Sequence, residues 1–110
     1  MAYGEKLAER IRHQLSARTD VAERKMFGGL AFMVRGHMCC GVVGDELMVR
    51  VGPDAYEVAL KEQHAREMDF TGKPLRGMVY AAAPGIASAK QLSKWVERGL
   101  QFTISLPEKR

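Results

Sequence analysis

Between Arg24 and Val51 the chain runs in short apolar segments separated by glycine-containing pairs, and no other feature narrows the fold as much. The segments Lys25 to Val34, His37 to Val43 and Glu46 to Val51 are divided by Arg35-Gly36 and Gly44-Asp45. Two-residue connections carrying glycine suit hairpin turns, which need positive φ, so three antiparallel strands in a meander are predicted. Leu47, Val49 and Val51 alternate with Glu46, Met48 and Arg50, giving that strand one buried and one wetter face. The run Leu30 to Val34 is apolar on both faces, as a central strand would be. Gly28-Gly29 interrupts the first strand where a bulge or a close backbone approach is expected. A phosphate-binding loop is the alternative, disfavoured because no G-x-G-x-x-G or G-x-x-x-x-G-K pattern follows.

On either side the periodicity is helical. Leu7, Ile11 and Leu15 recur every four residues with Lys6, Glu9, Arg10 and His13 between them, predicting an amphipathic helix over 3–17. Pro53 opens a short second helix ending near Glu62, with Tyr56, Ala59 and Leu60 inward. Asp69 to Pro74 reads as a turn and Leu75 to Ala82 as a strand, broken by Pro84-Gly85. Ser88 with Gln91 is a capping-box signature, and Leu92, Trp95, Val96, Gly99, Phe102 and Leu106 mark one face of a long final helix. The class is α+β in the order α-β-β-β-α-β-α, one antiparallel sheet with helices packed on one side. A chain of 110 residues is expected to form a single domain over 1–110, with 107–110 as a frayed tail.

Cys39 and Cys40 are neighbours, and in an extended segment they point to opposite faces, so a disulfide-stapled secreted fold is not expected. Charges stud the first dozen residues and no apolar run reaches the 18 residues of a membrane span, so neither a signal peptide nor a membrane partner is expected and the cytoplasm is the predicted compartment. The net charge of +4 lies at the ends: 1–26 hold six basic and four acidic residues, 27–85 six and seven, 86–110 five and two. Such a balance permits weak attraction to acidic surfaces or nucleic acid without requiring either.

Chemistry is sparse. There is no G-x-S-x-G or S-x-x-K, and His37 with Cys39 supplies only two metal donors. Asp45-Glu46 suits a hairpin turn, Glu62 and Glu67 flank a loop, and Met26, Met33, Met38 and Met78 read as gap-fillers of the core. No catalytic residue, cofactor or metal is expected. Lys25 to Phe32, K-M-F-G-G-L-A-F, keeps the basic start and final aromatic of the RNP1 signature of RNA-binding sheets but lacks its second glycine and middle aromatic. Lys90, Lys94 and Arg98 are four apart and form the best basic stripe in the chain.

Arg24-Lys25-Met26-Phe27-Gly28-Gly29, followed by Leu30-Ala31-Phe32, Leu47-Met48-Val49-Arg50 and Trp95-Val96-Glu97-Arg98-Gly99, resembles the N-terminal domain of the TfoX/Sxy family of bacterial competence regulators over nearly the whole chain. The resemblance implies an antiparallel sheet covered by helices and a non-enzymatic role. The family regulators usually carry a second, helical domain and act with the transcription machinery, notably the cyclic-AMP receptor protein. The stretch Asp69 to Gly77 is more similar to stand-alone members, which is what this chain is expected to be. Lys25, Met26, Phe27, Gly28 and Gly29 are then a signature of the fold rather than a binding site.

The leading expectation is a regulatory protein-interaction domain with a protein partner, for which the resemblance offers the transcription machinery as one candidate, and with Arg50, Lys90, Lys94 and Arg98 as contact residues on outward faces. A second reading is direct nucleic-acid binding through the basic terminal helices, and a third is a small-molecule site or enzyme between sheet and helices. An exposed sheet edge also admits a homodimer.

Overall fold

The computed structural model describes residues 4–26, 28–69 and 74–107. Its elements are α1 (Glu5–Gln14), β1 (Val21–Met26), β2 (Gly29–Val34), β3 (His37–Val43), β4 (Glu46–Arg50), α2 (Tyr56–Leu60), β5 (Ala65–Asp69), β6 (Pro74–Ala81), a 3-10 turn (Ala83–Ile86) and α3 (Ala89–Ile104). The strands form one six-stranded antiparallel sheet in the order β1-β2-β3-β4-β6-β5. The α+β class and the helices on one side are as predicted, and the meander occupies its middle.

Two strands exceed the expected order. What reads as one strand from Lys25 to Val34 is a hairpin: β1 pairs with β2, Met26 opposite Gly29, and Gly28 takes φ +72° in the turn. Phe27 lies outside the described residues. The bulge expected at Gly28-Gly29 is therefore a turn, because a two-residue connection needs a residue tolerant of positive φ. The close approach expected there is real, since a Cβ on Gly29 would stand 2.1 Å from the Val42 carbonyl oxygen. The other added strand, β5, begins Ala65-Arg66-Glu67 and lies at the sheet edge beside β6. Edge strands carry charge on both faces, so alternating hydrophobicity does not reveal them.

Helix α2 starts at Tyr56, after a turn over 53–55, not at Pro53. Helix α3 starts as its sequence demands: Gln91 N–H donates to Ser88 Oγ and Ser88 N–H to Gln91 Oε1, both at 3.0 Å. All three helices pack on one sheet face, where Leu7, Ile11 and Leu15 of the α1 region, Tyr56 and Ala59 of α2, and Leu92, Trp95 and Val96 of α3 meet Leu30, Phe32, Val34, Val42, Leu47, Val49, Val79 and Ala81. No described helix is long and apolar enough to cross a membrane.

The cysteine pair departs from expectation. The β2–β3 register pairs Phe32 with Cys40 but Met33 with Met38, leaving Cys39 as the extra residue of a bulge. In such a bulge neighbouring side chains share a face, and both thiols enter the helix-side core, free and fully buried.

The methionines fill core gaps as expected, Met48 and Met78 being buried, but they do so in a cluster of their own. Met48 and Met78, with Met38, Val43 and Tyr80 packed against them, form a second cluster separate from the main core. Met48 pairs in register with Tyr80 and Gly41, Arg50 with Met78 and Met33 with Met38, all on the sheet face that carries no described helix. The missing side chain of Gly41 lets Met48 lie flat against the sheet, its terminal methyl 2.7 Å from where a Cβ would be. The side chain of Met26 lies outside the described residues.

Candidate interaction surface

The basic stripe is spent within the fold. Helical spacing places Lys94 and Arg98 one turn apart, and the turn after α2 brings Glu62 up against both. Lys94 Nζ donates to Glu62 Oε1 and Arg98 Nη2 to Glu62 Oε2, each at 2.9 Å, while the Arg98 guanidinium also lies 5.1 Å from the Trp95 ring centroid. The Lys94 ammonium, and with it Arg98, holds the Glu62 carboxyl below its ordinary pKa. Two cations sharing one carboxylate leave less charge for an outside partner than the spacing promises. Lys90 remains exposed in the first turn of α3.

Arg50 stands elsewhere. It leaves β4 on the helix-free face, and its guanidinium lies 5.2 Å from the Phe102 ring centroid. That ring reaches it because Gly52, at φ +87°, has no side chain, and a Cβ there would stand 2.3 Å from the ring. Lys90 and Phe102 are separated by roughly 18 Å along the helix axis at 1.5 Å per residue. The four predicted contact residues therefore do not form one patch: Lys94 and Arg98 meet at Glu62, Arg50 stands at Phe102, and Lys90 is exposed at the start of α3.

Arg50 lines an open groove of about 560 Å³ with Met33, Gly36, His37, Met38 and Pro107. His37 Nε2 lies 2.7 Å from the Pro107 carbonyl oxygen, so that ring is tied to the segment after α3. A further groove of about 420 Å³ runs between α1 and α3, lined by Lys6, Glu9, Arg10, His13, Gln14, Ala89 and Leu92. Arg10 there is structural, donating to the Ile86 carbonyl at 2.7 Å.

Of the signature residues, Lys25 and Gly28 are exposed and Gly29 is buried against β3. Phe32, the aromatic that an RNP1 motif would offer to a base, is fully buried on the helix side. Among the described residues no group of three or more His, Cys, Asp or Glu side chains is placed to share a metal ion. The thiols interact with each other: the Cys39–Cys40 hydrogen bond, with complete burial, pushes the Cys40 pKa well above the ordinary thiol value.

Sequence reasoning missed Glu62 as the partner of the stripe, because 32 and 36 residues of separation leave no periodic trace. It also missed the helix-free methionine face, although the alternation of Met48 and Arg50 with Leu47 and Val49 held the signal. No curated protein and no solved structure is significantly similar to the chain. Residues 13–103, from the end of α1 nearly to the end of α3, match the family described as TfoX N-terminal domain. With the K-M-F-G-G turn, the meander and the Trp95 helix all inside that span, the chain belongs to the TfoX N-terminal domain family.

Proposed function

We propose that this chain is a non-enzymatic, regulatory protein-interaction domain of the cytoplasm, acting beside the bacterial transcription machinery as TfoX-type regulators do. The observation that carries this reading is the two-faced sheet: one face is closed by helices, whereas the other, above the buried pair Met48 and Met78, leaves Met33, Met38 and Arg50 partly exposed, with only Phe102 of α3 reaching Arg50. Flexible, polarisable thioethers suit a surface that must adapt to another protein. Family membership supports a role of this kind, with competence regulation one form of it.

The test is capture of partners by in vivo crosslinking and mass spectrometry with the tagged chain. A component of the transcription machinery enriched over a tag-only control is the expected result, and recovery of no specific protein would sink the reading. Direct nucleic-acid binding through the terminal helices is the weaker reading, since Glu62 already occupies Lys94 and Arg98.

A further inference from the structure

Resting on the interaction reading, we propose that the groove at the Arg50 end of the helix-free face binds an acidic, apolar peptide segment of a partner protein. Arg50 takes a carboxylate, and Met33 and Met38 receive the apolar side chain beside it.

The first ground is the state of Arg50. Arg12, Arg18, Arg66, Lys94 and Arg98 each have a carboxylate partner, on Glu23, Asp20, Glu46 and Glu62. Arg10 and Arg35 donate to backbone carbonyls, and Arg24, which likewise has no acceptor among the described residues, is exposed and not part of the groove. Arg50 is half-buried like several of these, yet among the described residues its guanidinium has no carboxylate or carbonyl acceptor and only the face of Phe102. A guanidinium carries five N–H donors in a planar fork that matches a carboxylate, and here Phe102 holds the fork in place.

The floor is the second ground. Met33 pairs with Met38 and Arg50 with Met78, so thioethers border the cation on neighbouring strands. Gly36, in the β2–β3 turn at φ +86°, adds no side chain to the rim. A ligand satisfying both features carries negative charge directly beside apolar bulk.

Charge and shape select the occupant. A second copy stacked on this face would bring Arg24, Arg50 and Arg66 against the same set, with Glu46 already bonded to Arg66. For nucleic acid the floor offers thioethers in place of stacking rings, and Tyr80 is covered by the Arg66 guanidinium at 4.4 Å from its centroid. A small molecule is usually buried over about 70–90% of its surface, whereas this groove lies open along the sheet. A peptide segment needs only side-chain anchors.

The experiment is fluorescence anisotropy at physiological salt with four labelled probes: a peptide alternating Asp or Glu with Leu or Phe, the same peptide with its carboxylates replaced by amides, the same peptide with its apolar residues replaced by Ala, and a DNA duplex. The full chain is compared with Arg50→Ala, Arg50→Gln and Lys90→Ala. The first peptide should bind the native chain. Its affinity should fall roughly tenfold or more with Arg50→Ala, with the amide peptide and with the Ala peptide, and stay unchanged with Lys90→Ala. If Arg50→Ala loses its native circular dichroism, Arg50→Gln, which keeps the side chain's reach, decides.

Equal binding by the Arg50 variants, equal binding of the amide peptide, tighter binding of DNA, or no binding of the first peptide each overturns the groove assignment. If captured partners crosslink to α1 or α3 while the peptides fail, the groove falls and the interaction reading stands. If no partner is captured while the peptide binds through Arg50, the groove stands and the wider reading falls.

Discussion

Gly99 of α3 sits so close to the backbone of β3 that a Cβ would stand 2.6 Å from the Cys39 carbonyl oxygen and 3.0 Å from Cys39 Sγ. The helix crosses the sheet at the bulge, and the bulge turns both thiols into the space beneath the helix. Thr103, one turn on, is fully buried, and its hydroxyl donates to the Gly99 carbonyl at 2.7 Å.

Gly99→Ala should accordingly destabilise the fold, although alanine is the better helix former on an exposed face. The clash is with backbone, which cannot rotate away, so the cost should be about 1–3 kcal/mol. Urea unfolding should show a lower midpoint with little change in slope. A midpoint at or above that of the native chain would mean that α3 does not approach β3 this closely.

Burial beneath α3 should make Cys39 and Cys40 slow to react. An aromatic disulfide reagent at pH 8 should label neither thiol appreciably in the native protein and both after denaturant is added. Prompt labelling of the native chain would contradict the bulge, because an unbulged strand would send one of the two side chains to the other face.

Replacing Glu62 by Gln removes the acceptor shared by Lys94 and Arg98. These are surface pairs, so the loss of stability should be small, about 0–1 kcal/mol. Affinity for a DNA duplex should rise, with a steeper dependence on salt, as two cations become free to meet phosphates. Unchanged DNA affinity in the variant would show that the stripe does not depend on Glu62.

The same carboxylate sets a pH dependence. The folded pKa of Glu62 lies below its unfolded value, first through Lys94. Its contribution is therefore present above the unfolded carboxyl pKa and is lost as pH falls through the folded one. Between about pH 5 and pH 3 the native chain should lose more stability than Glu62→Gln, as read from melting temperature across the acid range.

Ser88→Ala should cost about 1 kcal/mol, since it removes one arm of a reciprocal cap. The readout is the urea midpoint, with Ser93→Ala, at an exposed position within α3, as the control.

Where near neighbours in the chain interact, the sequence by itself determined the outcome. The Ser88–Gln91 cap and the turns at Arg35-Gly36 and Gly44 are decided within a few residues, and the alternation of Leu47, Val49 and Val51 marks the helix side of β4, although Met48 on its other face is buried as well. The K-M-F-G-G run was legible as a signature, although its glycines make a turn where a strand was expected. Tertiary structure alone decided the rest, because each remaining feature depends on groups brought together from distant positions. Strand β5 is defined by pairing with β6 and not by its own pattern. The shared face of Cys39 and Cys40 follows from one extra residue in the β2–β3 register, which flips every later side chain in that strand. Glu62 reaches Lys94 and Arg98 only after α2 folds onto the sheet, and Arg50 meets an aromatic ring only because α3 brings Phe102, 52 residues on, against it.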